Sequence, residues 1–192
     1  TTAGSACANL GVGPVMVDNA VGVIKAYITR VGEGPMPTEL KDDLGVQMRE
    51  KGGEYGTTTG RARRCGWFDA VLGLKSVYLN GYTELALTKL DVLTGIDPIK
   101  ICIGYDLDGE KLGYPPEATE DLARCQPIYE EMPGWTEDIT EIKEYDDLPA
   151  NARAYVERLD DLLYVEPLDN CIAAVSVGPG REQTIYLDEP ED

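Results

Sequence analysis

Histidine is absent from the 192 residues of this sequence. A chain without histidine cannot by itself run the Ser-His or Cys-His mechanisms, in which an imidazole takes the proton of the nucleophile. Five cysteines are present, but none forms a C-x-x-C pair, so a zinc site is not expected. Their odd number and scattered positions also argue against a disulfide framework, and we expect reduced thiols in a cytoplasmic protein.

Long apolar runs and an excess of basic side chains are lacking too. No window approaches the roughly 20 apolar residues that a membrane-spanning helix requires, and the first residues carry no secretory signal pattern. The 17 basic and 35 acidic side chains give a formal net charge of -18. Because phosphate backbones bind basic surfaces, we expect no nucleic-acid partner, and we expect no membrane partner either.

The acidic charge is concentrated in one half of the chain. Residues 1–104 contain 11 basic and 11 acidic side chains, whereas residues 105–192 contain 6 and 24. We interpret 105–192 as an acidic subregion with a solvated face, and a salt-adapted source is the alternative. Because the sequence starts at Thr1 and opens like the interior of a protein, we expect a fragment or a processed chain.

Apolar spacing predicts four helices. A buried helix is expected over 14–28, because apolar side chains occur on most of its sides. Residues 38–51 suit a short helix with Thr38 as its N-cap. A third helix begins near Trp67 and ends at Asn80-Gly81, and a fourth covers 149–164. The expected apolar faces of these last two helices are Phe68, Val71, Leu72 and Leu79, and Ala152, Tyr155, Val156, Leu159 and Leu163.

Predicted strands alternate with these helices. The run ELALTKLDVL, residues 84–93, is apolar and short enough for a buried strand. The stretch IKICIGYDLDGEKL turns at Asp108-Gly109, which is typical of a β-hairpin. Residues 171–187 predict two short strands separated by a Gly-Pro-Gly loop. Alternating helices and strands favour an α/β fold with helices packed around short strands.

The stretch YGTTTGRARRCGW, residues 55–67, concentrates positive charge in an acidic chain. Its glycines let peptide N–H groups approach a ligand, and its threonines add hydroxyl groups. The guanidinium groups of Arg61 and Arg63 match a carboxylate or a phosphate, and the helix expected near Trp67 would add a positive dipole end. We interpret the stretch as an anion-binding loop. The alternative is that its arginines pair with the acidic half of the chain.

Two further stretches suit a nucleotide site. In TKLD, residues 88–91, Lys and Asp flank one residue, so on a strand both would face the same side, at the end where α/β proteins bind ligands. Its carboxylate could accept two hydrogen bonds from guanine, and the alternative is a simple ion pair. In SVGPGR, residues 176–181, the loop backbone could line a base or phosphate pocket, and the alternative is an ordinary turn. The pattern GxxxxGK is missing, so nucleotide phosphates should be held mostly outside this chain.

Several stretches together resemble one family. NGYTELALTKLDVL, GTTTGRARRCGW, YEEMPGW, SVGPGREQTI and TRVGEGPMPTEL are similar to the C-terminal portion of adenylosuccinate synthetase, over essentially the full chain. The resemblance implies the C-terminal part of a mixed-sheet, P-loop-like fold of a GTP-dependent ligase. That family joins IMP to L-aspartate for AMP synthesis, with GTP as co-substrate and Mg2+ as cofactor. It phosphorylates the purine 6-oxygen before the aspartate amine displaces the phosphate. The resemblance also implies a cytoplasmic homodimer.

The resemblance implies three groups of site residues. The aspartate-binding loop consists of Thr57, Thr58, Thr59, Gly60, Arg61, Ala62 and Arg63. The GTP-binding residues are Arg63, Lys89, Leu90, Asp91, Ser176, Val177 and Gly178, with Asp91 selecting guanine. The IMP-binding residues are Arg61 and Val31, the latter through its backbone.

The same resemblance implies that the reacting groups lie outside this chain. The phosphate loop, the catalytic Asp, the catalytic His and most IMP contacts belong to the family's N-terminal part, which is not matched here. We therefore expect no catalytic residue and no metal ligand in this chain, with Mg2+ bound mainly by the N-terminal part. The chain alone should be inactive. The competing hypothesis is a truncated, non-catalytic module that binds a guanine nucleotide.

Overall fold

The computed structural model of the chain describes residues 2–166, 168–169 and 171–187. The helices of these residues are α1 (Ala3–Leu10), α2 (Asp43–Gly52), α3 (Ala70–Asn80), α4 (Thr119–Arg124) and α5 (Ala150–Leu163). The strands are β1 (Val21–Lys25), β2 (Ile28–Arg30), β3 (Arg64–Gly66), β4 (Phe68–Asp69), β5 (Glu84–Thr88), β6 (Ile99–Leu107), β7 (Glu110–Leu112), β8 (Gln126–Met132), β9 (Cys171–Ser176) and β10 (Thr184–Tyr186). Short 3-10 helices occur at Pro14–Met16, Leu90–Leu93, Tyr145–Asp147 and Arg181–Gln183.

A four-stranded sheet in the order β1-β5-β9-β10 is the part of the fold that positions the site. Strands β1, β5 and β9 are parallel, and β10 returns antiparallel to β9. Lys25 pairs with Thr88 at the ends of β1 and β5, and Leu87 pairs with Val175 near the ends of β5 and β9. The segments that follow these three strands therefore start from one edge of the sheet.

Two smaller sheets complete the architecture of the described residues. Strands β2 and β3 pair antiparallel, and β6 pairs with β4, β7 and β8. The hairpin predicted at Asp108-Gly109 is confirmed, because these residues link β6 to β7 with φ angles of 54° and 94°. The charge boundary at residue 104 falls inside β6, and the division into 1–104 and 105–192 stays a prediction.

Helix α5 supplies one wall of the main core. The predicted apolar face of α5 is confirmed, because all five of its residues are buried. They share the core with Leu85 and Leu87 of β5. The hydroxyl of Tyr155 donates a hydrogen bond to the carbonyl oxygen of Ala26 at 2.6 Å, which ties α5 to the residue after β1. Parallel strands packed with helices confirm the predicted α/β class.

The buried helix predicted over 14–28 is wrong. Residues 14–16 form a short 3-10 helix with no buried residue, and residues 21–25 form β1. Val21 and Val23 are 53% and 74% exposed on the outer strand of the first sheet. The apolar residues are therefore spread over both faces of a strand, a conformation that β-branched side chains favour.

The predicted start of α2 is also wrong, although its end is confirmed. The helix begins at Asp43 and not at 38, because the side chain of Asp42 accepts a hydrogen bond from the backbone N–H of Gly45 at 3.2 Å. Thr38 lies before the helix and is buried. Gly53 ends α2 in the left-handed conformation, as expected of a glycine C-cap.

Helix α3 begins later than predicted. It starts at Ala70 rather than near Trp67, and Asp69 caps its first turn. The predicted stop is confirmed, because Gly81 adopts the left-handed conformation. Leu79 was expected on the buried face, but it is 62% exposed. In the described ranges, no helix has both the length and the apolar character needed to cross a membrane.

Candidate functional site

The candidate site lies at the carboxyl edge of the first sheet. There β1 ends at Lys25, β5 ends at Thr88 and β9 ends at Ser176. Such edges are where α/β proteins bind ligands. The predicted GTP-binding segments, residues 89–91 and 176–178, follow the adjacent strands β5 and β9, so the fold brings both to this edge.

A single buried carboxylate joins three cationic side chains at this edge. The Oε1 atom of Glu54 accepts hydrogen bonds from Lys25 Nζ at 2.8 Å and from the Tyr27 hydroxyl at 2.7 Å. Its Oε2 atom accepts one from Arg63 Nη1 at 2.7 Å. Lys89 Nζ lies 3.7 Å from Oε1. We call these five residues the Glu54 cluster. Because it holds three cations and one anion, it is locally positive in an acidic chain.

Burial and hydrogen bonding set the charge state of the cluster. The Glu54 side chain is 0% exposed. Burial raises the pKa of its carboxyl group, but hydrogen bonds from Lys25, Tyr27 and Arg63 outweigh burial and hold the pKa below its ordinary value. Burial, reinforced by the hydrogen bond to Glu54, raises the pKa of Tyr27. Near neutral pH, Glu54 is therefore ionised and Tyr27 keeps its proton.

The arginine-rich stretch forms a closed loop. Its base is formed by a bridge between Tyr55 and Ala62 and by the backbone N–H of Arg63, which donates to the carbonyl oxygen of Glu54 at 2.9 Å. Inside the loop, Gly56 N–H donates to the carbonyl oxygen of Arg61 at 2.8 Å. The intervening residues 57–60 are exposed. The loop predicted from the sequence is therefore present in the structure.

The two predicted ligand-binding arginines of this loop have different surroundings. Arg61 is exposed, and within the described residues its side chain forms no hydrogen bond or ion pair. Arg63 is anchored to Glu54, while its Nε atom is buried and has no hydrogen-bond partner among the described residues. One arginine is thus free to meet a ligand, and the other keeps unused donors.

The loop does not lead into a helix, contrary to prediction. Strands β3 and β4 separate it from α3, and the Asp69 side chain accepts the N–H of Leu72 at 3.1 Å in the first turn of that helix. The expected dipole contribution from a helix near Trp67 is therefore wrong. The positive field at the loop comes instead from the cations of the Glu54 cluster.

The segment after β5 reverses direction at Lys89. This residue adopts the left-handed conformation with φ of 62°, and residues 90–93 form a 3-10 helix. The expectation that Lys89 and Asp91 face one side of a strand is therefore wrong, because β5 ends at Thr88. Lys89 Nζ donates to the carbonyl oxygen of Gly52 at 2.6 Å. Burial raises the pKa of Asp91.

The segment after β9 is a compact loop built around Gln183. The Ser176 hydroxyl donates to the carbonyl oxygen of Gly178 at 2.8 Å, and Gly180 N–H donates to Gln183 Oε1 at 2.7 Å. A Cβ atom on Gly178 would lie 2.5 Å from the end of the Gln183 side chain, so a larger residue there would displace that side chain. The loop predicted from SVGPGR is present, with its backbone held in a fixed shape.

Val31 lies on a loop that is attached to β3. It is 68% exposed. Pairing of Arg30 with Arg64 places this loop beside the strand that follows Arg63. Arg64 Nη1 donates to the carbonyl oxygen of Gly34 at 2.8 Å, and its other guanidinium nitrogens form a two-point contact with Glu39 at 2.7 and 2.6 Å. The segment that contains Val31 and the loop of residues 55–62 are therefore held by the neighbouring residues Arg64 and Arg63.

Sequence reasoning missed the residues that hold this arrangement together. Lys25 and Tyr27 were not recognised, because the helix expected over 14–28 hid the end of a strand at Lys25, and Glu54 was not recognised because its neighbours form no pattern. In residues 2–166, 168–169 and 171–187, no group of three or more His, Cys, Asp or Glu side chains is arranged to hold a metal ion. The described residues therefore offer no such group to Mg2+, and the place where Mg2+ binds stays a prediction.

These features define an α/β protein with a cationic candidate site at the carboxyl edge of a parallel sheet. A family model described as adenylosuccinate synthetase matches residues 1–185. The chain belongs to the adenylosuccinate synthetase family.

Individual relatives show the same likeness. The chain is 74% identical over 188 residues to an adenylosuccinate synthetase of Methanothrix thermoacetophila, a match that covers 98% of this chain and 44% of that relative. It is 55% identical over 185 residues to one of Caldanaerobacter subterraneus, covering 96% of this chain and 42% of the relative. A fully ligated adenylosuccinate synthetase from Plasmodium falciparum superposes with a TM-score of 0.92 at 41% identity, covering 98% and 44%. The chain thus spans less than half the length of these relatives.

Proposed function

We propose that this chain is the C-terminal, substrate-positioning part of an adenylosuccinate synthetase. The whole enzyme would join IMP and L-aspartate to form adenylosuccinate, with GTP converted to GDP and phosphate. The observation that carries the proposal is that Arg63 and Lys89 reach the same carboxylate, Glu54, at 2.7 and 3.7 Å. The predicted aspartate loop and the predicted guanine segment therefore converge in space, although 26 positions separate these two residues in the sequence.

The loop of residues 57–63 would receive L-aspartate. Arg61 is exposed and unpaired in the described part of the chain, so its guanidinium group is available to a carboxylate. Arg63 would face aspartate and the GTP phosphates with the N–H groups of Nη1 and Nη2 that Glu54 leaves unused, since Nε is buried. Fixed cationic groups of this kind orient a substrate and stabilise its charge.

The guanine base would lie between the segments after β5 and β9. Asp91 would accept hydrogen bonds from the ring N–H and the amino group of guanine, and burial around this carboxyl group would strengthen such bonds. Residues Leu90, Ser176, Val177 and Gly178 would line the base. The adjacency of β5 and β9 supports this arrangement.

The remaining parts of the enzyme would lie outside this chain. Arg61 and the backbone of Val31 would contribute to the IMP site, and the general acid and base, the phosphate cradle and the ligands of Mg2+ would come from the N-terminal part. When bound there, Mg2+ would neutralise the developing phosphoryl charge. The whole enzyme would be a cytoplasmic homodimer with purine-biosynthetic ligase activity.

Activity is tested in a chimera, in which this chain replaces the matching 188-residue segment of the M. thermoacetophila enzyme. We expect adenylosuccinate formation from IMP, L-aspartate and GTP by the chimera and no turnover by the isolated chain. The chimera with Arg124→Leu serves as a control for replacing an arginine outside the candidate site. Arg124 on α4 is exposed and pairs with Asp108 and Asp121. A folded chimera without activity would contradict the proposal, and so would turnover by the isolated chain.

The alternative, a non-catalytic guanine-nucleotide module, has a separate test. Calorimetric titration of the isolated chain with GTP and ATP distinguishes the two hypotheses. Weak or undetectable binding of both is expected of a part whose phosphate cradle lies elsewhere. Tight and selective GTP binding by the isolated chain would favour the module.

A further inference from the structure

We propose that Glu54 is a positioning residue, which fixes the guanidinium group of Arg63 and the ammonium group of Lys89 in the substrate site. The inference rests on the proposed function and adds to it a residue that touches no substrate. Its basis is geometric: one fully buried carboxylate contacts cations from three separate segments.

In the described residues, no other carboxylate forms ion pairs with all three of Lys25, Arg63 and Lys89. Lys25 ends β1, Lys89 follows β5, and Arg63 follows the loop of residues 55–62. Each cation is partly exposed, with side-chain exposures of 26%, 37% and 28% respectively, whereas Glu54 is 0% exposed. The anion therefore lies beneath the cations, and the cations form the surface that a ligand would meet.

Glu54 is itself held rigidly. Its backbone N–H donates to the carbonyl oxygen of Arg49 at 2.8 Å, directly after the C-cap of α2. Its carbonyl oxygen accepts a hydrogen bond from the N–H of Arg63, and its carboxylate accepts one from the Tyr27 hydroxyl in addition to its contacts with the cations. A carboxylate fixed at both its backbone and its oxygens imposes its geometry on flexible cationic side chains.

The contact with Arg63 leaves donors for a ligand. A guanidinium group has five N–H donors, and Glu54 engages the Nη1 nitrogen. The Nε atom has no partner among the described residues. Glu54 therefore holds Nη1, and because Nε is buried, the donors left for a substrate carboxylate or phosphate are the remaining N–H groups of Nη1 and Nη2.

Two simpler roles make different predictions. If Glu54 were only a competing counter-ion, Glu54→Gln would strengthen anion binding, because the cluster would gain positive charge. If it were only a structural ion pair, the variant would lower stability without changing how Arg63 contributes to binding. A positioning role predicts weaker binding and loss of the contribution of Arg63.

The first arm of the test is spectroscopic and needs no ligand. In the 15N-labelled chain, the guanidinium N–H protons of Arg63 should exchange with water at least about tenfold more slowly than those of Arg61. The Arg63 signals are assigned by comparison with the Arg63→Lys variant. In Glu54→Gln the Arg63 signals should lose this protection. Glu39→Gln is the matched control, since it removes the carboxylate partner of Arg64 and should leave Arg63 protected. Equal exchange of Arg63 and Arg61 in the wild-type chain would overturn the inference even if Glu54→Gln did not fold.

The second arm measures coupling in the chimera. Glu54→Gln and Arg63→Gln should each lower kcat/KM for L-aspartate by about tenfold or more, and the double variant should lose clearly less than the product of the two single losses, because Glu54 acts partly through Arg63. Multiplicative losses, or higher kcat/KM in Glu54→Gln, would overturn the inference. An inactive parent chimera would contradict the proposed function instead, and the spectroscopic arm would still decide the role of Glu54.

Discussion

Glu54 and Arg63 are joined twice, once through the backbone and once through their side chains. The N–H of Arg63 donates to the carbonyl oxygen of Glu54 at 2.9 Å, and Nη1 donates to the carboxylate at 2.7 Å. The two residues bracket the loop of residues 55–62. The double contact fixes the base of the loop while its tip stays exposed, which is the arrangement expected of a loop that receives a ligand.

Arg61→Leu should impair the use of L-aspartate by the chimera. The variant removes a charge-assisted contact worth about 1.5 to 3 kcal/mol, so kcat/KM for aspartate should fall by about 10- to 150-fold. Steady-state kinetics with aspartate as the varied substrate measure this effect. Unchanged aspartate kinetics, beside an equally active Arg124→Leu control, would show that the loop does not bind aspartate.

Asp91→Asn should weaken the preference for GTP. A site that loses a half-buried acceptor for the two guanine donors should discriminate less against ATP and ITP. The ratio of kcat/KM values for these nucleotides in the chimera measures the preference. Asp108→Asn, at an exposed hairpin turn where Asn tolerates the positive φ angle, is the matched control. A retained preference in Asp91→Asn would place base recognition elsewhere.

The Glu39–Arg64 pair should stabilise the fold in a pH-dependent way. The hydrogen bonds from Arg64 hold the pKa of Glu39 below its ordinary value. A depressed pKa contributes stability that is present above the unfolded-state pKa and lost as the pH falls through the folded-state pKa. Urea unfolding at pH 3 to 7 should therefore show Glu39→Gln less stable than wild type at neutral pH, with the difference shrinking in acid. A difference that does not change with pH would contradict the ionic contribution.

The buried face of α5 should matter more than its exposed face. Leu159 is 0% exposed in the main core, so Leu159→Ala should lower the free energy of unfolding by about 2 to 5 kcal/mol. Glu157→Ala, on the exposed side of the same helix, should change it by about 0.5 kcal/mol or less. Chemical denaturation of both variants tests the packing, and equal effects would contradict it.

The outer strand β1 should promote self-association of the isolated chain. It is an edge of the first sheet in the described residues, and it carries exposed Val21 and Val23. Exposed apolar edges pair with other chains, whereas a lysine on the edge opposes pairing. Sedimentation velocity should show concentration-dependent association that Val23→Lys reduces and Val46→Lys, on α2, does not. A monomer at all concentrations would show that the expectation is wrong.

Local signals in the sequence predicted much of the fold. The apolar spacing of α5, the Asp-Gly turn and the glycine that ends α3 depend on near neighbours, and each was confirmed. The helix expected over 14–28 failed because Val21 and Val23 are apolar yet exposed on an edge strand, a context that spacing does not reveal.

The site was predicted only in part for the same reason. The assignment of 57–63, 89–91 and 176–178 to particular ligands rests on the family resemblance and stays a prediction. The stretches 55–67, 88–91 and 176–181 were recognisable from their residue types as candidate ligand-binding segments. Glu54 was not, because its neighbours form no pattern, and its importance arises from pairing of β1 with β5 and from closure of the loop at Arg63. Such long-range contacts depend on the tertiary fold, which local sequence does not encode in a readable form.

The most direct test of the substrate-positioning role is a crystal structure of the active chimera with L-aspartate and GDP bound. We expect the aspartate carboxylate on Arg61, Arg63 still bound to Glu54, and the guanine edge on Asp91 between residues 89–91 and 176–178. Aspartate bound away from residues 57–63, or guanine bound away from Asp91, would contradict that role.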